Sequence, residues 1–326
     1  MPSFQAHALK AYLRLQNLFR PRSERYDPLA ERRELEGLAR LFKPLGPVQS
    51  LPIAMGSVPA EWLVPKEATA AAVLLYLHGG SYCAGSIVSH RALAANLARA
   101  TGVRGLIIDY RLAPENPFPA AIDDAAAVYR ELLATGFASD KIVVAGDSAG
   151  GGLSLALLLR LRDQGTALPA AVACLSPWTD LSGSGASHET KASEDVVLSS
   201  AHLAQAAQLY LAGEDPRTPL ASPLFADLRG LPPLLVQAGG DEILLDDATG
   251  LAERARAAGV DVTLEVWPRM QHVWHFSASI MPEASRAIDA AGRFLRRALF
   301  GAATPSIQRK SPDLLQPSRL RDRVGQ

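Results

Sequence analysis

The apolar run Ile142-Val143-Val144-Ala145 passes directly into Gly146-Asp147-Ser148-Ala149-Gly150, and no other stretch of the chain narrows the fold as much. A short apolar run that meets glycine reads as a buried strand, and the small residues that follow suit a helix packed closely on a sheet. Glycines two positions either side of a serine leave room for a sharp turn and for close neighbouring chains, so the turn presents one hydroxyl, that of Ser148, at its apex. This is the pattern of a nucleophile elbow. Gly150-Gly151-Gly152 also fits part of a dinucleotide loop, so the pentapeptide alone leaves both readings open.

A second segment upstream favours the elbow. Val73-Leu74-Leu75-Tyr76-Leu77 reads as a buried strand leading into His78-Gly79-Gly80-Ser81. Adjacent glycines after a strand free backbone N–H groups to point at a ligand, and preorganised donors lower the barrier to a tetrahedral intermediate whose oxygen gains negative charge. The N–H groups of Gly79, Gly80 and Ala149 are therefore the expected oxyanion hole. Taken alone, this segment would be an ordinary glycine-rich turn between strand and helix. A dinucleotide site fits less well, because the glycines extend past Ser148 into the helix and Asp109 precedes the loop instead of following it.

A serine hydroxyl needs a base, and the base needs a carboxylate to fix its tautomer. Leu234-Leu235-Val236-Gln237-Ala238 reads as a late strand followed by Gly239-Gly240-Asp241, and Leu264-Glu265-Val266-Trp267 as another, followed by Met270-Gln271-His272. Serine, then acid, then histidine is the chain order of an α/β-hydrolase triad. Each candidate falls just beyond the carboxyl end of a strand, where open parallel sheets place ligands. Asp241 is the first choice for the acid, with Glu242 as its rival; Asp246 and Asp247 are expected to cap the next helix. His275 falls further along the loop than His272. His7, His78, His90, His188 and His202 are read as structural or solvent-facing.

Together these segments resemble the hormone-sensitive-lipase-like family of α/β-hydrolases, the bacterial esterases with a Gly-Asp-Ser-Ala-Gly elbow. His78-Gly79-Gly80, the run Asp109-Tyr110-Arg111-Leu112-Ala113-Pro114-Glu115, the elbow, Ser176-Pro177-Trp178-Thr179-Asp180, Asp241 and His272 carry the resemblance, which spans most of residues 50 to 300. It implies Ser148 as nucleophile, His272 as base, Asp241 as acid and Gly79, Gly80 and Ala149 as oxyanion donors. It also implies an α/β-hydrolase fold with a mostly parallel central sheet flanked by helices and covered by a helical cap. Many relatives continue the acid with Pro-Leu, whereas this chain continues with Glu242-Ile243-Leu244, so Glu242 stays in contention. Arg111 and Glu115 are expected to pair and brace the site floor.

At 326 residues the chain exceeds a typical single domain, which leaves room for additions to an α/β core of about 250 residues. Segments 46–183 and 223–300 are expected to form the catalytic domain, 1–45 and 184–222 the cap, and 301–326, rich in proline and arginine, a loosely ordered tail. In the cap, one helix runs through Leu9, Leu13 and Leu18, and a second starts at Asp27-Pro28 with Leu35, Leu38 and Phe42 on one face. Strands are expected near Trp62, at 73–77, 106–108, 142–145, 172–175, 234–236 and 263–266, and helices at 92–100, 120–133, 148–162, 199–211 and 247–258. That alternation argues for a parallel sheet covered on both faces.

Equal numbers of basic and acidic residues, 33 each, give no footprint for nucleic acid. Two cysteines, Cys83 and Cys174, are too few for a disulfide scaffold and read as buried thiols in a reducing compartment. No apolar run reaches the roughly 18 residues of a membrane span, so no stable membrane insertion and a cytoplasmic location are expected; the stripe of the first helix suits a lid, with lipid contact as the other use.

The expected reaction is two-stage acyl transfer on a small-molecule ester, with no metal or organic cofactor. The resemblance implies short to medium acyl chains and suggests a homodimer. Trp178, Val197, Leu203 and Tyr210 are candidate pocket liners, each equally explained by packing. Opening of a lactone ring is the alternative within hydrolases, and a non-catalytic small-molecule receptor on the same fold the alternative outside them.

Overall fold

The computed structural model describes residues 2–19 and 25–301. In chain order its elements are α1 (Phe4–Phe19), α2 (Pro28–Ala39), β1 (Val48–Met55), β2 (Val58–Pro65), β3 (Thr69–Leu77), α3 (Ile87–Thr101), β4 (Val103–Ile108), α4 (Ala120–Ala134), β5 (Ile142–Asp147), α5 (Ala149–Asp163), β6 (Ala171–Leu175), α6 (Ser187–Thr190), α7 (Ser200–Leu211), β7 (Leu234–Gly239), α8 (Leu245–Ala257), β8 (Val262–Trp267) and α9 (Pro282–Phe300). The strands form one sheet in the order β1-β2-β4-β3-β5-β6-β7-β8. Pairing is antiparallel for β1 with β2 and β2 with β4, and parallel from β4 to β8.

Side chains alternate across a strand, and β3 shows what this does for the core. Val73, Leu75 and Leu77 face one side, with Ile122 of α4, Leu153 of α5 and Leu251 of α8. Leu74 and Tyr76 face the other, with Leu93 and Leu97 of α3 and Ile288 and Leu295 of α9. Burial on both faces is why β3, β5 and β6 are continuous apolar runs, and why they are legible in the sequence.

Strand β1 was not expected. It lies at the sheet edge with most of its residues exposed, so it lacks the buried face that produces an apolar pattern, and Pro52 is tolerated there because an edge strand leaves N–H groups unpaired. Helix α3 begins at Ile87, five residues ahead of expectation, because Ser86 and Ser89 form a capping box.

Helix α2 starts as expected: the Asp27 carboxylate accepts from the N–H groups of Leu29 at 2.9 Å and Ala30 at 3.2 Å. In α1 the expected stripe is rotated. Ala6 is buried with Leu9 and Leu13 half-buried, whereas Leu18 is 78% exposed; beside it the Asn17 side-chain amide donates to the Val196 carbonyl at 2.9 Å. The tail expected from 301 onward lies, Gly301 apart, outside the described residues. Among the described residues no helix is long and apolar enough to cross a membrane.

Candidate active site

Ser148 stands alone between the end of β5 and the start of α5, with φ 52° and ψ −123°, a conformation that costs a non-glycine residue energy and persists only when its surroundings hold it. The Ser148 N–H donates to the Leu175 carbonyl, and the Ser148 carbonyl accepts from the Trp178 N–H, both at 2.9 Å. A Cβ at Gly150 would run into the carbonyl oxygens of Leu77 and His78, and one at Gly146 into the carbonyls of Gly150 and Leu77. The glycines of the motif are therefore steric necessities. They let α5 start against the end of β3, whose Leu77 pairs with Gly146.

Asp147, fully buried beside the serine, organises the glycine loop that follows β3. Its carboxylate accepts from the Tyr76 hydroxyl at 2.6 Å and the Gly79 N–H at 3.1 Å, and lies 3.3 Å from His90 Nε2. Burial pushes this carboxyl upward, but His90, Tyr76 and His78 outweigh it and hold Asp147 below the usual carboxylate range. Next to it, burial holds His78 down to about 3, and its ring stacks on Tyr110 with centroids 4.2 Å apart. His78 and His90 are structural, as expected.

The Gly79 bond corrects one expected oxyanion donor, since that N–H is already committed to the elbow's own aspartate. Among the described residues, the amides of Gly80, Ser81 and Ala149 donate to no partner. Gly80, Ser81 and Tyr82 all have positive φ, at 116°, 55° and 59°, and that unusual run turns the loop back over the elbow. Ala149 opens α5, where first-turn N–H groups lack intrahelical partners. Ser81 was not singled out, because a serine after two glycines gives no hint in the sequence that its backbone amide is left without a partner.

The acid is corrected as well. Glu242, not Asp241, meets the histidine: its Oε2 lies 2.7 Å from His272 Nδ1, and its Oε1 accepts from the Gly239 N–H at 2.7 Å. Asp241 forms an ion pair with Lys10 of α1, which also reaches Glu194 at 3.3 Å. Neighbouring residues of the turn point their side chains in opposite directions. The Asp241 N–H is held by the Met270 carbonyl at 3.1 Å, and this leaves the following residue to face inward. With Nδ1 on the carboxylate, Nε2 is the nitrogen of His272 left to exchange a proton with a nucleophile.

His272 follows β8, on a loop whose Val273 N–H donates to Ser176 Oγ at 3.2 Å, tying it to the segment that also holds the elbow. Ser148 and His272 are 6% and 7% exposed, so both side chains are largely shielded from bulk water. His275 is fully buried against Gln237 Oε1 at 2.9 Å and pushed down to about 3 by burial; it is structural.

Other expectations resolve differently. Asp246 and Asp247 do not cap α8. Asp247 accepts from the Thr179 and Asp180 N–H groups at 2.7 and 2.8 Å, and Asp246 from the Ser187 N–H at 2.8 Å, so both hold the insert between β6 and β7. Arg111 pairs with Asp124, and Glu115 with Arg32 of α2, which also donates to the carbonyls of Cys83 and Ala113. Of the candidate liners, Trp178, Leu203 and Tyr210 are buried in the core, where Tyr210 stacks on Tyr82 at 3.9 Å, while Val197 is exposed.

A constrained serine, a carboxylate-bound imidazole and undirected amides together suit acyl transfer, and comparison with known proteins agrees. A family model described as the alpha/beta hydrolase fold matches residues 74–276. An acetyl-hydrolase of Streptomyces hygroscopicus is 49% identical over 278 residues, covering 85% of this chain and 90% of the relative. A crystal structure of an esterase from the bacterial hormone-sensitive lipase family superposes with a TM-score of 0.87 at 46% identity, covering 92% of this chain and 99% of that one. The esterase EstE5, from a crystal soaked with p-nitrophenyl butyrate, superposes with a TM-score of 0.87 at 41% identity over 91% of this chain and 99% of that one. With the elbow, the glycine loop and the late-strand acid and histidine all in place, this chain belongs to the hormone-sensitive-lipase-like family of α/β-hydrolases.

Proposed function

We propose that Ser148, His272 and Glu242 act as nucleophile, base and orienting acid of this carboxylesterase, on esters with short to medium acyl chains. The observation that supports the assignment is the 2.7 Å contact between His272 Nδ1 and Glu242 Oε2, which engages one ring nitrogen and leaves Nε2 for a nucleophile. Ser148 attacks the ester carbonyl as His272 takes its proton; the resulting oxyanion is received by the amides of Gly80, Ser81 and Ala149. His272 returns the proton to the departing alcohol. Water then attacks the acyl-serine with His272 again as base, and Glu242 stabilises the imidazolium in both stages.

Two segments form the cap in this reading: 1–45 and the insert 184–222. Contacts between them support it, with the Asn17 amide on the Val196 carbonyl and the Tyr26 N–H on Gln205 Oε1 at 2.8 Å. A short-chain preference is supported by the acetyl-hydrolase relative and the butyrate soak of EstE5. A cytoplasmic location is supported by the thiols of Cys83 and Cys174, both buried and both pushed up to about 12 by burial. A homodimer through the open edge of β8 is supported by that strand's terminal place in the sheet and by a depression of about 680 Å³ beside it, lined by Val266, Trp267, Arg286 and Arg293.

Ser148→Ala is expected to lower kcat on p-nitrophenyl acetate and butyrate by at least about 10⁴-fold, with an unchanged circular dichroism spectrum and no labelling by a fluorophosphonate. Near-normal turnover would remove the nucleophile assignment. Faster hydrolysis of long-chain triglycerides than of acetate and butyrate esters would overturn the chain-length reading.

A further inference from the structure

Glu242 sits in a turn whose next residue is held from outside the catalytic core. The N–H of Ile243 donates to Asp195 Oδ2 at 2.9 Å, and the carbonyl of Ile243 accepts from Ser187 Oγ at 2.6 Å. Both partners belong to the insert between β6 and β7. Asp195 is 7% exposed, and its second oxygen accepts from the N–H groups of Val197 and Leu198, each at 2.8 Å, on the approach to α7. One carboxylate thus spans the insert and the turn of the acid. On its other flank, Asp241 is held by Lys10.

Both polar backbone groups of Ile243 are buried and satisfied by the insert, so Asp195 and Ser187 on one side, with the Met270 carbonyl on the Asp241 N–H on the other, set the direction in which Glu242 leaves the chain. We propose that Asp195 is a positioning residue for the esterase reaction: through Ile243 it fixes the backbone of Glu242, so that the Glu242 carboxylate meets His272 only while the insert is docked. This rests on the triad reading above. Asp195 touches no reacting atom.

Asp195→Asn is the sharpest variant. Its amide oxygen can keep the Val197 and Leu198 bonds, but its NH₂ then opposes the Ile243 N–H, so the link to the acid's turn is lost selectively. The variant is expected to lower kcat on p-nitrophenyl butyrate by about 10- to 100-fold, with KM changed by less than about threefold. The deciding measurement is a double-mutant cycle with Glu242→Gln. If Asp195 acts through Glu242, Asp195→Asn adds nothing to the loss already caused by Glu242→Gln.

An equal loss in both backgrounds, or near-normal kcat in the single variant, would overturn the proposal. If Asp195→Asn fails to fold, Ser187→Ala, which removes only the bond to the Ile243 carbonyl and its neighbour at Asp246, is read through the same cycle. Full activity of Glu242→Gln would sink the triad assignment itself, an outcome distinct from a crippled Glu242→Gln beside a normal Asp195→Asn.

Discussion

The nucleophile side and the acid side of this site are held by different means. Around Ser148 the positions are set by backbone: glycines that admit no Cβ, a residue at φ 52°, and peptide bonds to the neighbouring strand ends and loops. Around His272 they are set by side chains reaching in from distant segments, namely Glu242 on the imidazole, Lys10 on Asp241, and Asp195 and Ser187 on Ile243. Backbone geometry of the first kind forces particular residue types at fixed spacing. The second kind needs only a partner of the right charge or hydrogen-bonding capacity somewhere in the chain. A motif can therefore name the nucleophile and stay ambiguous about the acid.

The largest effect that tests this contrast separates two neighbouring carboxylates. Glu242→Gln is expected to lower kcat by about 10³- to 10⁴-fold, whereas Asp241→Asn, which loses only a partly solvated ion pair to Lys10, is expected to change kcat by less than about threefold. Steady-state kinetics on a p-nitrophenyl ester would check both, and the reverse ranking would return the acid to Asp241.

Gly150→Ala probes the backbone-built side. With carbonyl oxygens of Leu77 and His78 in the path of the new methyl, the variant is expected to lose roughly 3 kcal/mol of stability or more, seen as an earlier urea midpoint. A midpoint equal to wild type would show that the elbow tolerates a side chain.

The smallest effect concerns the carboxylate that anchors the insert. Burial raises Asp247 from its ordinary 3.8 to about 8, and its Oδ2 has no hydrogen-bond partner among the described residues. Between those values the folded protein keeps a proton that the unfolded chain releases, so this group's contribution to stability falls as pH rises from about 4 to about 8. His78 and His275, held down to about 3, act oppositely: the unfolded chain takes up protons that they refuse, so their contribution grows from about pH 3 to about 6.5. Asp247→Asn keeps one acceptor for the Thr179 and Asp180 amides and removes the titration. Its Tm relative to wild type is expected to rise by about 2 °C per pH unit between pH 6.5 and 8; a constant difference across that range would show that Asp247 is already ionised.

Much of the molecule was legible for reasons that these residues display. β3, β5 and β6 are buried on both faces and therefore read as unbroken apolar runs, and Asp27 announces α2 by capping it. β1 was invisible because it buries almost nothing. The exchange of Asp241 for Glu242, the commitment of the Gly79 amide to Asp147, and the partners of Arg111 and Glu115 were hidden because each depends on which distant group arrives first at a side chain or amide. Leu18 was misplaced because α1 has apolar residues on more than one face, and only its neighbours decide which face is covered.

By itself the sequence determined the strand-and-helix alternation, the strained serine, the glycine loop and the histidine, because steric exclusion and burial act locally and leave marks on residue type. Tertiary structure alone decided which carboxylate holds the imidazole, which amides beside Ser148 stay without a partner, and that the turn carrying Glu242 is gripped by the insert. Those outcomes are contests among polar groups far apart in the chain, settled only when folding brings them within hydrogen-bond reach and removes the water that would otherwise have satisfied them.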